Sequence, residues 1–240
     1  MAGLLATGSA HKRGGLFMLR ADIDVGPIRA EELRDAVRIF LGAFSENVKA
    51  VYGDSPRPDA MLDVWTFFSQ DEPGGFLAAR EGCTLIGYAL FTASLKRLQR
   101  DAVVRGQVLR WTLRALSGRY GIQWLQLGRV LWNKILFVGS SGRFRTQGDA
   151  QLLNIAVEPA ARGRGAAKAL VVAGMEYLAG RGVPEVRLEV RPDNAAAIRV
   201  YRGVGFVERG QTRDAHGDWL VMTADLAGRS GGKGGEDLRT

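Results

Sequence analysis

The residues best suited to do chemistry lie between Gln151 and Leu170, Q-L-L-N-I-A-V-E-P-A-A-R-G-R-G-A-A-K-A-L. An apolar strand pattern, Leu152 to Val157, passes through a Pro-containing turn into Arg162-Gly163-Arg164-Gly165-Ala166-Ala167 and an apolar helix starting near Ala166. Small residues let a ligand approach the backbone closely. Unpaired N–H groups at a helix start attract anions, and two arginines add positive charge. The duller reading is an ordinary strand–turn–helix connection with solvated arginines. Two better-known phosphate motifs do not fit. No G-x-x-x-x-G-K-[ST] string occurs, and a dinucleotide fingerprint would need its third glycine where Lys168 stands. Five residues, Glu158 to Arg162, also separate Val157 from Gly163, where a dinucleotide fold turns at once.

Other reactive side chains are few. Cys83 is the one cysteine, which excludes an internal disulfide and fits a reducing compartment. Neither His11 nor His216 is near it in sequence, so Cys83 is expected to be a buried, inert thiol. The two histidines offer no metal-ligand spacing, and no metal site is expected.

The elements that must position the cradle follow from periodicity. Leu19 to Ile28 reads as a strand whose end is interrupted by Gly26-Pro27. Glu31 to Phe44 carries Leu33, Val37, Phe40, Leu41 and Phe44 at helical spacing, with acids in its first turn. Met61 to Phe68 is a second helix after a Pro-rich turn, and Phe76–Arg80 with Thr84–Leu95 forms a hairpin of strands. After the Gln151–Leu170 stretch come a strand at Val186–Val190, a helix at Asn194–Gly203, a strand start at Gly205–Val207 and a last strand at Trp219–Asp225. The order is β-α-α-β-β, a basic helical insertion, then β-α-β-α-β-β, which suggests an α/β domain around a mixed sheet.

The insertion, residues 96–145, holds eleven Lys/Arg against one acid, Asp101, for a net +10 in a chain whose total is +8. Val104, Val108, Trp111 and Ala115 recur at helical spacing, as do Trp124, Leu127, Leu131, Ile135 and Val138. Gly118 to Gly121 reads as the turn between the two helices. Their polar face is expected to be basic, through Arg105, Arg110, Arg114, Arg119, Arg129 and Lys134. Residues 1–17 read as a disordered leader without a secretory pattern, residues 18–227 as a single domain, and residues 228–240 as a Gly-rich disordered tail. No window holds the ~18 uninterrupted apolar residues of a membrane span.

Arg162 to Ala167 also fits the pattern [Q/R]-x-x-G-x-[G/A] after a strand ending V-x-P. Downstream, L-E-V-R-P-D-N-A-A-A-I-R-V-Y-R-G-V-G-F keeps Leu188, Glu189, Val190, Asn194, Ala197, Tyr201, Gly205 and Phe206 in step with a second block of the same kind. Together the two blocks resemble the GNAT superfamily of acetyl-CoA-dependent N-acetyltransferases, over about Leu152 to Val207. The resemblance implies an α/β (α+β) fold with a mixed, mostly antiparallel central sheet flanked by helices. The basic helical insertion would fall between its third and fourth strands.

The resemblance further implies a set of roles. Coenzyme A pyrophosphate would rest on the N–H groups of Arg162, Gly163, Arg164, Gly165, Ala166 and Ala167. The strand before it would splay from its neighbour at a bulge, offering backbone groups of Ile155, Ala156 and Val157 to the pantetheine arm and the thioester carbonyl. Asn194 would bond that arm, alongside a role as helix N-cap. Tyr201 would be the general acid, and also contact the coenzyme, unless it merely packs the helix on the sheet. Glu189 would be the base, directly or through water, unless it is a solvated strand residue or the partner of Arg187 or Arg191. Glu158 is a weaker rival base.

The implied function is transfer of acetyl from acetyl-CoA to a primary amine by direct attack in a ternary complex, in the cytoplasm and without a metal. The acceptor stays open between a small molecule such as an amino sugar and a protein N-terminus. The reading from another class is a non-catalytic acyl-CoA-binding or membrane-associated regulatory module. The insertion could cap the cleft, lie on an anionic membrane at the inner face, or bind nucleic acid. Its apolar stripe argues most for the cap and least for nucleic acid.

Overall fold

The computed structural model describes residues 23–45, 58–120, 148–214 and 217–228. The expected leader, the expected tail beyond residue 228, both histidines and residues 121–145 of the insertion lie outside the described residues.

The first strand, β1 (Ile23–Pro27), leads through a single 3-10 turn at Ala30–Glu32 into α1 (Leu33–Ala43). Glu32 tightens that entry by accepting the Arg29 N–H at 2.7 Å. The second helix, α2 (Pro58–Asp71), runs further at both ends than its apolar stripe foretold. Its start is Pro58, a residue suited to the first helical position because that N–H has no acceptor anyway. A hairpin of β2 (Phe76–Glu81) and β3 (Thr84–Thr92) follows. Cys83 lies in its turn and is exposed, which overturns the expectation of a buried thiol. Burial had been inferred from residue type alone, and a tight turn leaves nothing to cover the side chain.

Two helices fill the described part of the insertion, α3 (Leu95–Val104) and α4 (Gln107–Leu116). The break between them is at Gly106, with φ of 68°, so the expected single helix through Val104–Ala115 is two; residues 117–120 after it form a turn, where Gly118 was expected to end it. A left-handed residue interrupts a helix, and glycine adopts that conformation without steric cost. Ser94 caps α3 by accepting from the Arg97 N–H at 3.1 Å.

The remainder is β4 (Gln151–Val157), α5 (Ala166–Gly180), β5 (Glu185–Val190), α6 (Ala195–Arg202), β6 (Val207–Asp214) and β7 (Gly217–Asp225). The seven strands form one sheet in the order β1-β2-β3-β4-β5-β7-β6. Only the β4–β5 pair is parallel among the described strands. The sheet is therefore mixed and mostly antiparallel, with helices on both faces.

Each face has its own core. On one side α5 and α6 pack over Phe91, Leu152, Val157, Val186, Leu188 and Met222. The other side carries Val37, Trp65, Phe76, Tyr88, Leu98 and Trp111 from α1–α4 and the first strands. Helix α5 is apolar around most of its circumference, as befits a helix that contacts β1 through β4 and α6. At Gly174 it meets Phe91 so closely that an added Cβ would lie 2.0 Å from the ring.

Three arginines in the described part of the insertion are tied to the region of α2. Arg97 reaches Glu72 at 2.5 Å and Asp71 at 3.2 Å, and Arg105 reaches Asp71 at 3.1 Å. Arg114 reaches Asp63 at 2.5 Å, and the Tyr120 hydroxyl donates to the same carboxylate at 2.5 Å. Asp63 and Asp71 belong to α2, and Glu72 follows it directly. The expected outward basic face is thus, at Arg105 and Arg114, a set of ties between the α3–α4 hairpin and α2. Burial pushes the Asp71 carboxyl up, against the pull of Arg97 and Arg105.

Candidate active site

β4 and β5 pair at two positions only, Gln151 with Arg187 and Leu152 with Leu188. Beyond them the strands part. The register between β3 and β4 slips at the same level: Leu90 faces Asn154 but Phe91 faces Leu152, so Leu153 is an extra residue in β4. A bulge bends the strand that carries it, and here it coincides with the start of the divergence from β5.

Backbone groups alternate between the two edges of a strand. The Glu158 N–H donates to the Ile86 carbonyl on the β3 side at 2.8 Å. Counting back from it, Ala156 and Asn154 also turn their N–H and C=O groups to β3. Ile155 and Val157 turn theirs to the gap. Of the three backbone positions expected at the gap, two face it and Ala156 faces the ladder.

The turn after β4 is a 3-10 segment, Pro159–Ala161, that ends at Arg162. The Arg162 N–H is directed to the Pro159 carbonyl at 3.3 Å, so the cradle of N–H groups begins one residue later, at Gly163. Gly163 and Gly165 have φ of 75° and 96°, and an added Cβ at either would meet open space. These glycines serve conformation and access rather than packing. Gly165 is the N-cap of α5 without any side-chain cap. The first-turn N–H groups of Ala166, Ala167 and Lys168 then have no acceptor within the helix.

Both arginines of the loop are held by the protein itself. Arg162 Nε donates to the Val157 carbonyl at 3.1 Å, one of the two residues facing the gap. Arg164 donates to both carboxylate oxygens of Glu81, at the end of β2.

Asn194 is the N-cap of α6 and accepts the Ala197 N–H at 3.1 Å. That bond uses its oxygen and leaves the amide nitrogen for other partners. Tyr201, the last residue but one of α6, is buried in the α5–α6 core with its ring 5.8 Å from that of Phe206. Burial pushes its phenol up to about 12, so the hydroxyl keeps its proton at any physiological pH. No partner for that hydroxyl is found among the described residues.

Glu189 points the other way. Leu188 and Val190 enter the α5–α6 core, and Glu189 projects from the opposite face, where Arg187 donates to it at 2.6 Å. Glu158 receives Arg38 of α1 at 2.5 Å. Tyr201 and Glu189 therefore lie on opposite faces of the sheet, Glu189 on the stretch of β5 that borders the gap. A reagent bound on one face could meet a reagent from the other only through that gap.

One polar pair escaped the sequence reading. The Tyr88 hydroxyl donates to Asn154 Oδ1 at 2.5 Å, at the bulge. Tyr88 is fully buried against Trp65, 4.7 Å between ring centres, and burial pushes its phenol well up. The lone polar residue in L-L-N-I-A-V was the available signal. Among the described residues no group of three His, Cys, Asp or Glu side chains could hold a metal ion. No described helix is long and apolar enough to cross a membrane.

The family model described as Acetyltransferase (GNAT) family matches residues 33–206. A mycothiol acetyltransferase of Nocardioides sp. is 58% identical over 52 residues, which are 22% of this chain and 18% of the relative. One from Amycolatopsis mediterranei is 41% identical over 75 residues, 31% of this chain and 25% of the relative. The chain thus matches a quarter or less of the length of these relatives. Among solved structures, SsHAT superposes with a TM-score of 0.62 at 20% identity, covering 85% of this chain and 98% of that one. The yncA protein of Salmonella typhimurium, solved with its cofactor acetyl-CoA, gives 0.54 at 15% identity over 90% and 99%. At these identities the structures speak for the fold.

Proposed function

The chain belongs to the GNAT family of acetyltransferases, and from that premise we propose that it moves an acetyl group from acetyl-CoA to a primary amine by direct attack in a ternary complex. The observation that carries the proposal is the gap between β4 and β5 beside the glycine cradle at the start of α5. Backbone groups of Ile155 and Val157 would bind the pantetheine arm in place of a neighbouring strand. The N–H groups from Gly163 to Ala167 would take the pyrophosphate, helped by the positive end of α5. Arg162 would exchange the Val157 carbonyl for phosphate, and Asn194 would donate its amide nitrogen to the arm.

Acetyl-CoA supplies an activated acetyl group: as the neutral amine bonds to its carbonyl carbon, the C–S bond breaks and a thiolate leaves. Tyr201 would hand its proton to that sulfur, a role for which a phenol that stays protonated is suited. Glu189 would take the proton lost by the amine, directly or through water, from the other face of the sheet. The proposed chemistry needs no metal, because a thioester is reactive enough toward a neutral amine. The proposed location is the cytoplasm.

The acceptor is sought with a thiol-release assay using acetyl-CoA against amino sugars, polyamines, amino acids, N-terminal peptides and amines related to mycothiol, after the name of the relatives. Release with one acceptor class supports the reading. The Arg187–Glu189 pair favours a second reading, a non-catalytic acyl-CoA-binding module, since it gives Glu189 a structural use. Coenzyme binding without turnover on any acceptor would support that alternative.

A further inference from the structure

Six large apolar side chains are exposed on the described surface: Val103, Val104, Leu109, Leu113, Leu116 and Val207. Five of them are on the α3–α4 hairpin, with Val104 at 76%, Leu109 at 63% and Leu113 at 56% exposure. Leu109, Leu113 and Leu116 follow the i, i+4, i+7 rule and form one stripe along α4. It adjoins the inward-facing Val108, Trp111 and Ala115, so the apolar arc of α4 is wider than the core beneath it can cover. Arg110 and Arg114 occupy the remaining side. A clustered apolar patch of this kind marks an interaction surface more often than scattered single residues do.

We infer that the α3–α4 hairpin docks on an anionic membrane surface, with the Leu109–Leu113–Leu116 stripe in the interface and the flanking cations among the headgroups. Charge selects this occupant. From Lys96 to Tyr120 there are seven Lys/Arg and one acid, Asp101, which is half-buried and held by Arg97 and Arg100. Arg97, Arg105 and Arg114 offset the carboxylates of Asp63, Asp71 and Glu72. Lys96, Arg100, Arg110 and Arg119 are exposed, Arg100 beside Asp101, with no exposed carboxylate on the hairpin. A second copy would bring arginines against arginines. Residues 121–147 of this chain add four cations and no acid, so charge does not draw them to the stripe either. Anionic lipid answers both the apolar stripe and its cationic border. The ties to α2 hold the hairpin as a rigid platform. The inference stands apart from acetyl transfer.

The test is sedimentation of the full chain with phosphatidylcholine vesicles, with and without phosphatidylglycerol. The expected result is binding to the anionic vesicles that is at least roughly tenfold stronger than to neutral ones and falls with salt. Leu109→Ser with Leu113→Ser should weaken it by roughly tenfold or more while the melting profile and acetyl-CoA binding by calorimetry stay native, and Val207→Ser should change nothing. Arg110→Glu with Arg119→Glu provides an independent arm should the serine variant be misfolded, and it too should abolish the preference for anionic vesicles. Absence of binding at low salt would overturn the inference. So would native binding by the two double variants, or a stripe-dependent dimer in analytical ultracentrifugation. Retained acetyl-CoA binding in any of these outcomes leaves the acetyltransferase reading untouched.

Discussion

Leu152 of β4 and Leu188 of β5 are the last residues to face each other before the two strands part. Both are buried in the same core, so hydrophobic packing pins the strands together just where the hydrogen-bonded ladder stops. The gap beyond them is consequently a fixed opening with packed walls. The two faces of the sheet differ, with Tyr201 on one and Glu189 on the other.

Tyr201→Phe removes the proposed acid and little else, since the ring stays in its core beside Phe206. The expected loss is roughly 10²–10⁴ in kcat with acetyl-CoA affinity nearly unchanged, read by steady-state kinetics and calorimetry. The raised phenol sets the sign of the pH dependence. With its value at about 12, Tyr201 stays protonated as pH rises past the ordinary 10, so it should add no alkaline limb to the kcat profile below about pH 10. Native turnover in the phenylalanine variant would remove Tyr201 from the reaction.

Gly165→Glu attacks the cradle in two ways. A side chain at φ of 96° strains the start of α5 by about 1–2 kcal/mol, and a carboxylate would stand where phosphate is proposed. Acetyl-CoA affinity should fall by more than roughly tenfold, with the repulsion relieved by salt. Asn194→Ala should weaken binding too, through the lost amide and a lost cap worth about 1 kcal/mol. Titration calorimetry and thermal melts separate the two contributions.

Glu189→Gln decides whether that residue is a base or only the partner of Arg187. As a base, its loss should lower kcat/KM by roughly 10²–10⁴. As a partner, its loss should cost stability, about 1–3 kcal/mol, with turnover preserved in the folded fraction. Denaturant titration alongside kinetics distinguishes these outcomes, and we expect the kinetic one.

Glu32→Gln probes the fold away from the gap. Buried Glu32 receives Arg80 at 2.5 and 2.7 Å, and Arg80 is itself almost fully buried. The Arg80 hydrogen bond holds the Glu32 carboxyl below its ordinary 4.5. A lowered native value stabilises the fold above the unfolded value, and that contribution is lost as pH falls through the native one. The glutamine variant should be less stable by about 3–5 kcal/mol near neutrality, because it leaves a buried cation with only the exposed Asp24, 3.6 Å away, as a charged partner. Its stability should also fall less steeply in acid. Urea denaturation between about pH 3 and 7 measures both effects.

Much of this was legible in the sequence because the signals are local. The 3.6-residue stripe gave α1, the apolar run after the glycines gave α5, the β2–β3 turn gave a hairpin, and the R-G-R-G string gave a helix start. Asn194 declared itself as a cap through the residues that follow it. Local reading also misled where residue type was its only guide. Cys83 is expected inside and is exposed on a turn, and the extra break at Gly106 goes unforeseen because a lone glycine does not by itself announce a turn.

By itself the sequence determined the order of elements, the cradle and the family blocks, because each rests on neighbours within a few positions and on backbone conformations those residues prefer. Only the tertiary structure decided what depends on strand register and on which side of a sheet a residue falls. The extra residue at Leu153 sends the backbone of Ile155 and Val157 to the gap and that of Ala156 to the ladder. Strand alternation, fixed by burying Leu188 and Val190, sends Glu189 to the face opposite Tyr201. Folding also brought the carboxylates of Asp63, Asp71 and Glu72 to Arg114, Arg105 and Arg97. Three arginines of a basic run thereby became a clasp on α2, since charges distant along the chain neutralise one another only once packing sets them side by side.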